Sequence, residues 1–289
     1  MPTAVLTDST ACLTPELATE AGVFVIPLHV QVGRQTYAEG VDITVSEVAD
    51  LLRAGKEKVG TSRPAPGEFV ERFREVAQIS GADSIVAVLI SGAISGTVEA
   101  AQLAAQAVRD EVTVEVVDSR ILGMGMGYAA AAAADAAYAG ASLSECAEIA
   151  RARSAAASTY FYVDTLEHLR RGGRVGTAQA ILGSALAIKP LLTLADGEVQ
   201  LAERVRTRAK ALIQLQSRCV EAFIAAESTG TVVDVAVHHL AWPDEAEKLL
   251  DNLRNMLPTG GRWDLVELGA VAGVHTGPGT LAVTVAPRA

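Results

Sequence analysis

The sequence predicts an α/β protein of two α/β domains: an N-terminal, mostly parallel sheet flanked by helices, then a C-terminal α/β sandwich. Three observations carry this expectation. Continuous apolar runs at 84–90 and 112–117 alternate with helical segments, the texture of parallel strands buried on both faces. The apolar runs end in polar or small-residue clusters, Asp8-Ser9-Thr10, Ser91-Gly92 and Asp118-Ser119, and ligands bind at such strand ends in parallel sheets. Half of the 289 residues are hydrophobic but only 4% are aromatic, so the core is mostly Ala, Val and Leu and suits close packing of helices on sheets.

Residues 3–7 read as a short strand running into Asp8-Ser9-Thr10. A helix starts near Thr14, with Pro15 at its first position, where a missing N–H loses nothing, and Glu16 close behind. Residues 23–32 are extended, with Pro27 marking a bend or an edge. Ser46 is expected to cap a helix through Leu52, and Pro66 to open another through Ile79. The run 84–90 is a buried strand, 95–108 a helix and 112–117 the next strand. Ala-rich helices follow at 122–139 and 142–157. The texture changes after Ser158, which divides the chain into domains of 1–158 and 159–289. The second begins with a strand at 160–163, a short helix at 164–171 stopped by Gly172-Gly173, and a helix at 177–186. A hairpin of 188–194 and 198–206 turns at Asp196-Gly197. A long helix at 208–227, a strand at 232–238, a helix at 243–256 and strands at 263–268 and 281–285 complete it.

The net charge of −10 argues against nucleic-acid binding, which needs a basic face. Cys12, Cys146 and Cys219 form no C-x-x-C pair, so neither a disulfide framework nor a zinc site is indicated. Reduced thiols, and no basic-then-apolar leader at the start of the chain, suggest a cytoplasmic protein. The apolar stretch 121–140 is mostly Ala and Gly and carries Asp135, so it reads as a buried helix and no stable membrane insertion is expected. His238 and His239 are strand neighbours facing opposite ways, a poor metal pair. No metal or cofactor is expected.

Val274-His275-Thr276-Gly277-Pro278-Gly279-Thr280 sets an imidazole and a hydroxyl before a turn where backbone can approach a ligand closely. Two further hydroxyl-rich loops lie far upstream, Gly60-Thr61-Ser62-Arg63-Pro64 and Ser91-Gly92-Ala93-Ile94-Ser95-Gly96-Thr97. Together they suggest one polar pocket assembled from distant parts of the chain. The Ser91 loop follows a buried strand and opens a helix, so its free N–H groups and hydroxyls suit a carboxylate or a phosphate. Ser95 serves equally as a helix cap, and Thr61 or Ser62 as the cap of the next helix. His275 would orient a carboxylate headgroup. The alternative is a serine-dependent acyl hydrolase or acyltransferase using Ser91 or Ser95 with His275, although no G-x-S-x-G elbow occurs. Arg170, Arg171 and Arg174, with Arg204, Arg206, Arg208 and Lys210, are the one basic concentration in an acidic chain. They are a solvated helix end and face or a dock for an anionic partner.

The pattern resembles the DegV family. Leu166-x-x-Leu169-Arg-Arg-Gly-Gly-Arg174-Val175 carries the resemblance, with Asp8-Ser9-Thr10, Thr61-Ser62-x-Pro64, Ser91-x-x-Ile94-Ser-Gly-Thr97, Asp118-Ser119, Lys189-Pro190, Val205-Arg206-Thr207 and His275-Thr-Gly-Pro-Gly279. These run in order from residue 8 to residue 279. The resemblance implies two α/β domains with a long-chain fatty acid between them. It implies a carrier and not an enzyme, similar to the FakB members that present the fatty acid to an ATP-dependent kinase, FakA, which makes acyl-phosphate for phospholipid synthesis. Thr61, Ser91 and His275 would meet the carboxyl group, with Ser62, Gly92, Ser95 and Thr276 beside them. Arg174 and Arg206 would face the kinase. Gly92 departs from the family pattern, which often has a second Ser there, so one contact becomes backbone only. Phe24, Ile94, Leu122, Met124, Met126, Leu182 and Leu186 are candidate tunnel walls. About fourteen methylenes at about 0.8 kcal/mol each give roughly 11 kcal/mol gross. Each headgroup hydrogen bond adds about 1 kcal/mol, so the tail would set affinity and the polar loops orientation.

Overall fold

The computed structural model describes residues 2–181, 189–258 and 260–288. In chain order its elements are β1 (Thr3–Asp8), α1 (Pro15–Glu20), β2 (Val23–Ile26), β3 (His29–Val32), β4 (Gln35–Ala38), α2 (Val45–Ala54), β5 (Val59–Ser62), α3 (Pro66–Ser80), β6 (Ser84–Leu89), α4 (Thr97–Ala107), β7 (Thr113–Asp118), α5 (Met124–Tyr138) and α6 (Leu143–Ala156). They continue with β8 (Ser158–Tyr162), α7 (Glu167–Arg171), β9 (Lys189–Ala195), β10 (Glu198–Val205), α8 (Arg208–Glu227), β11 (Val233–His239), α9 (Pro243–Met256), β12 (Trp263–Glu267), α10 (Ala270–Thr276) and β13 (Leu281–Pro287). The chain packs as two compact units. One holds Met1–His29 and Ser62–Ala156, the other Val30–Thr61 and Ala157–Arg288. The units are therefore not the consecutive halves 1–158 and 159–289 expected from sequence, because the excursion Val30–Thr61 groups with the C-terminal residues.

The first unit is built on a parallel sheet of order β2-β1-β6-β7. Every residue of β6 is buried, which is why its sequence after Ser84 is an unbroken apolar run with no alternation. Phe69 and Phe73 of α3 and Ala100, Ala101 and Ala104 of α4 form one core with Leu6, Ile85 and Leu89. α5 packs on β1, and α6 on β6 and β7. The alanines at their contact, Ala129, Ala130, Ala133, Ala147 and Ala150, are fully buried, and their small side chains let the two helices approach closely. The strand order reverses direction between β1 and β6, so the loops after these strands flank the topological switch point.

Asp8 holds that switch point together. Its carboxylate is buried at the end of β1 and accepts the Thr10 N–H (2.9 Å), the Thr10 hydroxyl (2.5 Å) and the Ile90 N–H (2.8 Å) just past β6. Burial pushes its carboxyl pKa up, and these three bonds oppose the rise. Asp8→Ala strands three buried donors, so a loss of about 3 kcal/mol is expected in urea unfolding. A loss below about 1 kcal/mol would show that water or rearranged loops satisfy them equally well.

The second unit contains a six-stranded sheet of order β10-β9-β8-β13-β11-β12, antiparallel except for the parallel pair β11–β12. Leu215, Cys219 and Phe223 of α8 and Leu249, Leu250 and Leu253 of α9 pack on Leu191, Val235 and Val283. Burial pushes the Cys219 thiol up to about 12, which makes it an inert core residue. The β9–β10 hairpin turns at Asp196 (φ 53°) and Gly197 (φ 84°), the positive dihedrals of a type I′ turn. The excursion Val30–Thr61 adds a three-stranded sheet of order β4-β3-β5 and the helix α2.

Several sequence expectations change. The extended stretch 23–32 is broken at Pro27 into β2 and β3, which join different sheets. Thr44, not Ser46, caps α2, in a reciprocal capping box with Glu47. α4 begins at Thr97, not Ser95. Of the expected helix at 177–186, Gly176–Ile181 is a 3-10 helix and the remainder lies outside the described residues, as do Leu182 and Leu186. α10, β4 and β5 are additional. Among the described residues no helix is long and apolar enough to cross a membrane.

Candidate functional site

In the second unit, Thr61 at the end of β5 and His275 in the last turn of α10 are 214 residues apart in sequence and 2.8 Å apart in space, Oγ1 to Nε2. Burial, then the charge of Arg174, depresses the imidazole pKa to about 4, so the ring is neutral at neutral pH. Its Nδ1 is buried with no hydrogen-bond partner among the described residues. A stranded N–H is costly to bury, which favours the tautomer with hydrogen on Nε2, donating to Thr61. The Thr61 hydroxyl hydrogen is then available to a ligand oxygen.

The Arg-Arg-Gly-Gly-Arg segment builds the wall behind the ring. α7 ends in a Schellman motif: Gly173 takes φ +71°, its N–H reaches the Arg170 carbonyl (3.1 Å), and the Arg174 N–H reaches the Leu169 carbonyl (2.9 Å). Gly172 has an ordinary helical φ of −76°, yet a Cβ there would overlap His275 Nδ1. Its glycine serves close approach, not turn geometry. His168 of α7 fills the space where a Gly277 Cβ would lie, and Gly277 takes φ +81°. Thr280 Oγ1 donates to the Gly277 carbonyl (2.6 Å) and the Gly279 N–H to the Leu240 carbonyl (3.0 Å), which fixes the Gly-Pro-Gly turn. Thr276 Oγ1 donates to the Ala272 carbonyl (3.2 Å), so this predicted ligand residue spends its hydrogen on its own helix.

Three members of the basic concentration, Arg170, Arg171 and Arg208, are held in ion pairs. Arg170 and Arg171 both engage Glu167, at 2.7 and 2.8 Å, and hold its carboxyl pKa near 2. Arg208 and Lys189 engage Asp164 at 2.7 and 3.2 Å, Tyr162 donates to it at 2.9 Å, and its pKa is likewise lowered to about 2, chiefly by Arg208. Arg174 is exposed and donates to the Gly172 carbonyl (2.5 Å), directly behind His275. Arg206 is exposed immediately after β10.

In the first unit, Ser91, Gly92 and Ser95 share one loop at the C-terminal edge of the parallel sheet. Ser91 is buried, its N–H donates to the Ile121 carbonyl (3.0 Å), and its Oγ accepts the Ala93 N–H (3.3 Å). The Gly92 N–H donates to Asp118 Oδ1 (3.0 Å), so this backbone donor is committed within the protein. A Cβ at Gly92 would lie 2.8 Å from Asp118 Oδ2, so a side chain there would push that carboxylate aside. Ser95 Oγ lies 2.7 Å from Thr97 Oγ1, and the Arg63 guanidinium covers Gly96. Ser62 is half-buried at the end of β5 and groups with this unit. Ile94 and Leu122 are half-buried, Met124 and Met126 fully buried, and Phe24 packs beside the core.

A family model described as "Uncharacterised protein, DegV family" matches residues 2–288. A DegV domain-containing protein of Streptomyces coelicolor is 45% identical over 285 residues, covering 99% of this chain and 98% of that protein. The solved structure of a DegV family protein from Thermus thermophilus, described by its fatty acid binding, is similar with a TM-score of 0.87 and 35% identity, over 99% of this chain and 100% of the other. DegV from Bacillus subtilis, described as a fatty acid binding protein, gives a TM-score of 0.89 and 32% identity over 99% of both chains.

Proposed function

The chain belongs to the DegV family, and on that premise we propose that it is a cytoplasmic carrier which binds a long-chain fatty acid, holds the carboxyl group at Thr61 and His275, and presents it to an ATP-dependent kinase. The observation that carries this reading is the part-buried Thr61–His275 pair at 2.8 Å in a chain similar to proteins described as fatty acid binding. A hydroxyl oriented by a neutral imidazole suits a carboxyl group, which needs one or two directed hydrogen bonds and not a cluster of cations. The Ser91 loop is the second candidate for carboxyl contact, with its hydroxyl at the sheet edge.

The chain itself performs no chemistry in this reading. Attack of the carboxylate on ATP belongs to the kinase, and the acyl-phosphate product feeds phospholipid synthesis. Arg174 supports a docking role because it bonds the carbonyl of Gly172, the residue lying against His275. A partner engaging Arg174 would stand beside the headgroup residue. No observation favours the hydrolase or acyltransferase alternative: the hydroxyl paired with His275 Nε2 is that of Thr61 and not of Ser91 or Ser95.

Native mass spectrometry of the purified protein, followed by denaturing extraction, is the test. A near-stoichiometric, non-covalent long-chain fatty acid is expected. An empty protein that also refuses added oleate would overturn the reading. In a reconstituted kinase assay, Arg206→Ala is expected to keep its lipid and lose about 10-fold in acyl-phosphate formation. Parallel loss of lipid would instead place Arg206 in the pocket.

A further inference from the structure

The excursion Val30–Thr61 grips α10 at both ends. At the C-terminal end, Thr61 meets His275 at 2.8 Å. At the N-terminal end, the buried carboxylate of Glu39 accepts the Val271 N–H at 2.8 Å, across 232 residues of sequence. α10 has no side-chain cap of its own, because Gly269 occupies the capping position. Gly269 fits against the same carboxylate: a Cβ there would lie 2.5 Å from Glu39 Oε1. α2, from the same excursion, packs along α10.

A helix of seven residues is too short to persist on its own propensity, so its ends must be held by tertiary contacts. A carboxylate at the first turn satisfies an orphan N–H and faces the positive end of the helix dipole. We infer that Glu39 is a positioning residue which, by capping α10, holds His275 in register with Thr61 so that a carboxyl ligand meets a preformed imidazole–hydroxyl pair. This rests on the fatty-acid reading for the ligand, and on the geometry of the second unit for the rest. Without the cap, the first turn of α10 frays and the imidazole gains access to water. The charged neighbour acting on the ring, Arg174 behind Gly172, and His168 against Gly277 stay in place.

The test uses the full-length, delipidated protein, with the His275 imidazole titrated by NMR and decanoate affinity measured by calorimetry. Glu39→Leu removes the acceptor, and Gly269→Ala crowds it at a φ of −55° that alanine adopts freely. Both are expected to raise the His275 midpoint by about one unit or more toward the ordinary imidazole value and to weaken decanoate about 3- to 10-fold. Glu39→Gln, which keeps an accepting oxygen, is expected to stay within about threefold of the wild type. A wild-type midpoint and affinity in both Glu39→Leu and Gly269→Ala would overturn the inference. If Glu39→Leu fails to fold, Gly269→Ala decides alone. If the wild type refuses both decanoate and oleate, the fatty-acid reading fails and the imidazole titration still decides the role of Glu39.

Discussion

Gly172→Ala is expected to lower fatty-acid affinity about 10-fold while leaving the fold as stable as before. The two effects separate because of how Gly172 is used. Its φ of −76° and ψ of −10° are helical, so alanine fits the backbone, and its lower unfolded-state entropy stabilises by about 0.5–1 kcal/mol. The added methyl overlaps His275 Nδ1, so the imidazole must move. Moving it breaks the 2.8 Å contact with Thr61, and because both residues are only part-buried the loss of about 1 kcal/mol offsets that gain. A loss of about 1–2 kcal/mol in headgroup orientation is roughly 5- to 30-fold in affinity. Displacement of a fluorescent fatty acid gives the affinity, and urea unfolding the stability. Unchanged affinity at unchanged stability would remove His275 from the headgroup site. Equal loss of both would make Gly172 a purely structural residue.

Acidification from pH 6.5 to 4 is expected to remove several kcal/mol of stability before the paired carboxylates titrate. His275 and His238 are both depressed to about 4 by burial. In the unfolded chain these imidazoles take up protons as pH falls through 6.5, whereas in the folded chain they do so only near 4. The unfolded state therefore binds more protons within this window, and stability rises with pH across it. The contribution of the two neutral rings is complete above pH 6.5 and lost as pH falls toward 4, at about 3 kcal/mol for each. His168 and His239, also lowered by burial, act in the same direction. Asp8 acts in the opposite direction, because its raised pKa lets the folded state hold a proton earlier. Asp164 and Glu167 keep their charge down to about 2 and lose their contribution only below the window. Urea midpoints measured across the window provide the check. In His275→Gln the total loss should shrink by about 3 kcal/mol, and an unchanged pH slope would show that the ring is hydrated in the native protein.

The strands of the parallel sheet, the Asp196-Gly197 hairpin and helices such as Pro66–Ser80 are legible because each is specified locally. Burial on both faces writes an unbroken apolar run, a type I′ turn demands its two residues, and a proline opens a helix where no N–H is needed. The α2 cap was legible too, in the Thr44-x-x-Glu47 spacing that identifies the capping box better than Ser46 does. The hydroxyl and histidine loops stand out in the sequence as loops. Their pairing does not, since nothing local says that Thr61 meets His275 and not Ser91.

α10 shows where local information stops. Its seven residues include a glycine, begin without a capping side chain, and are completed by Glu39 from 232 residues away. Gly172 looks like half of a flexible Gly-Gly stop, and only the imidazole lying against it shows that Gly173 makes the turn while Gly172 makes room. The excursion Val30–Thr61 likewise carries no composition change that would assign it to the C-terminal unit. Fold class, most elements of the parallel sheet and the chemistry of the loops follow from short-range patterns along the chain. The partners of Glu39, Thr61 and Gly172 follow from packing, because burial and hydrogen bonding between distant segments are satisfied only once the chain is folded.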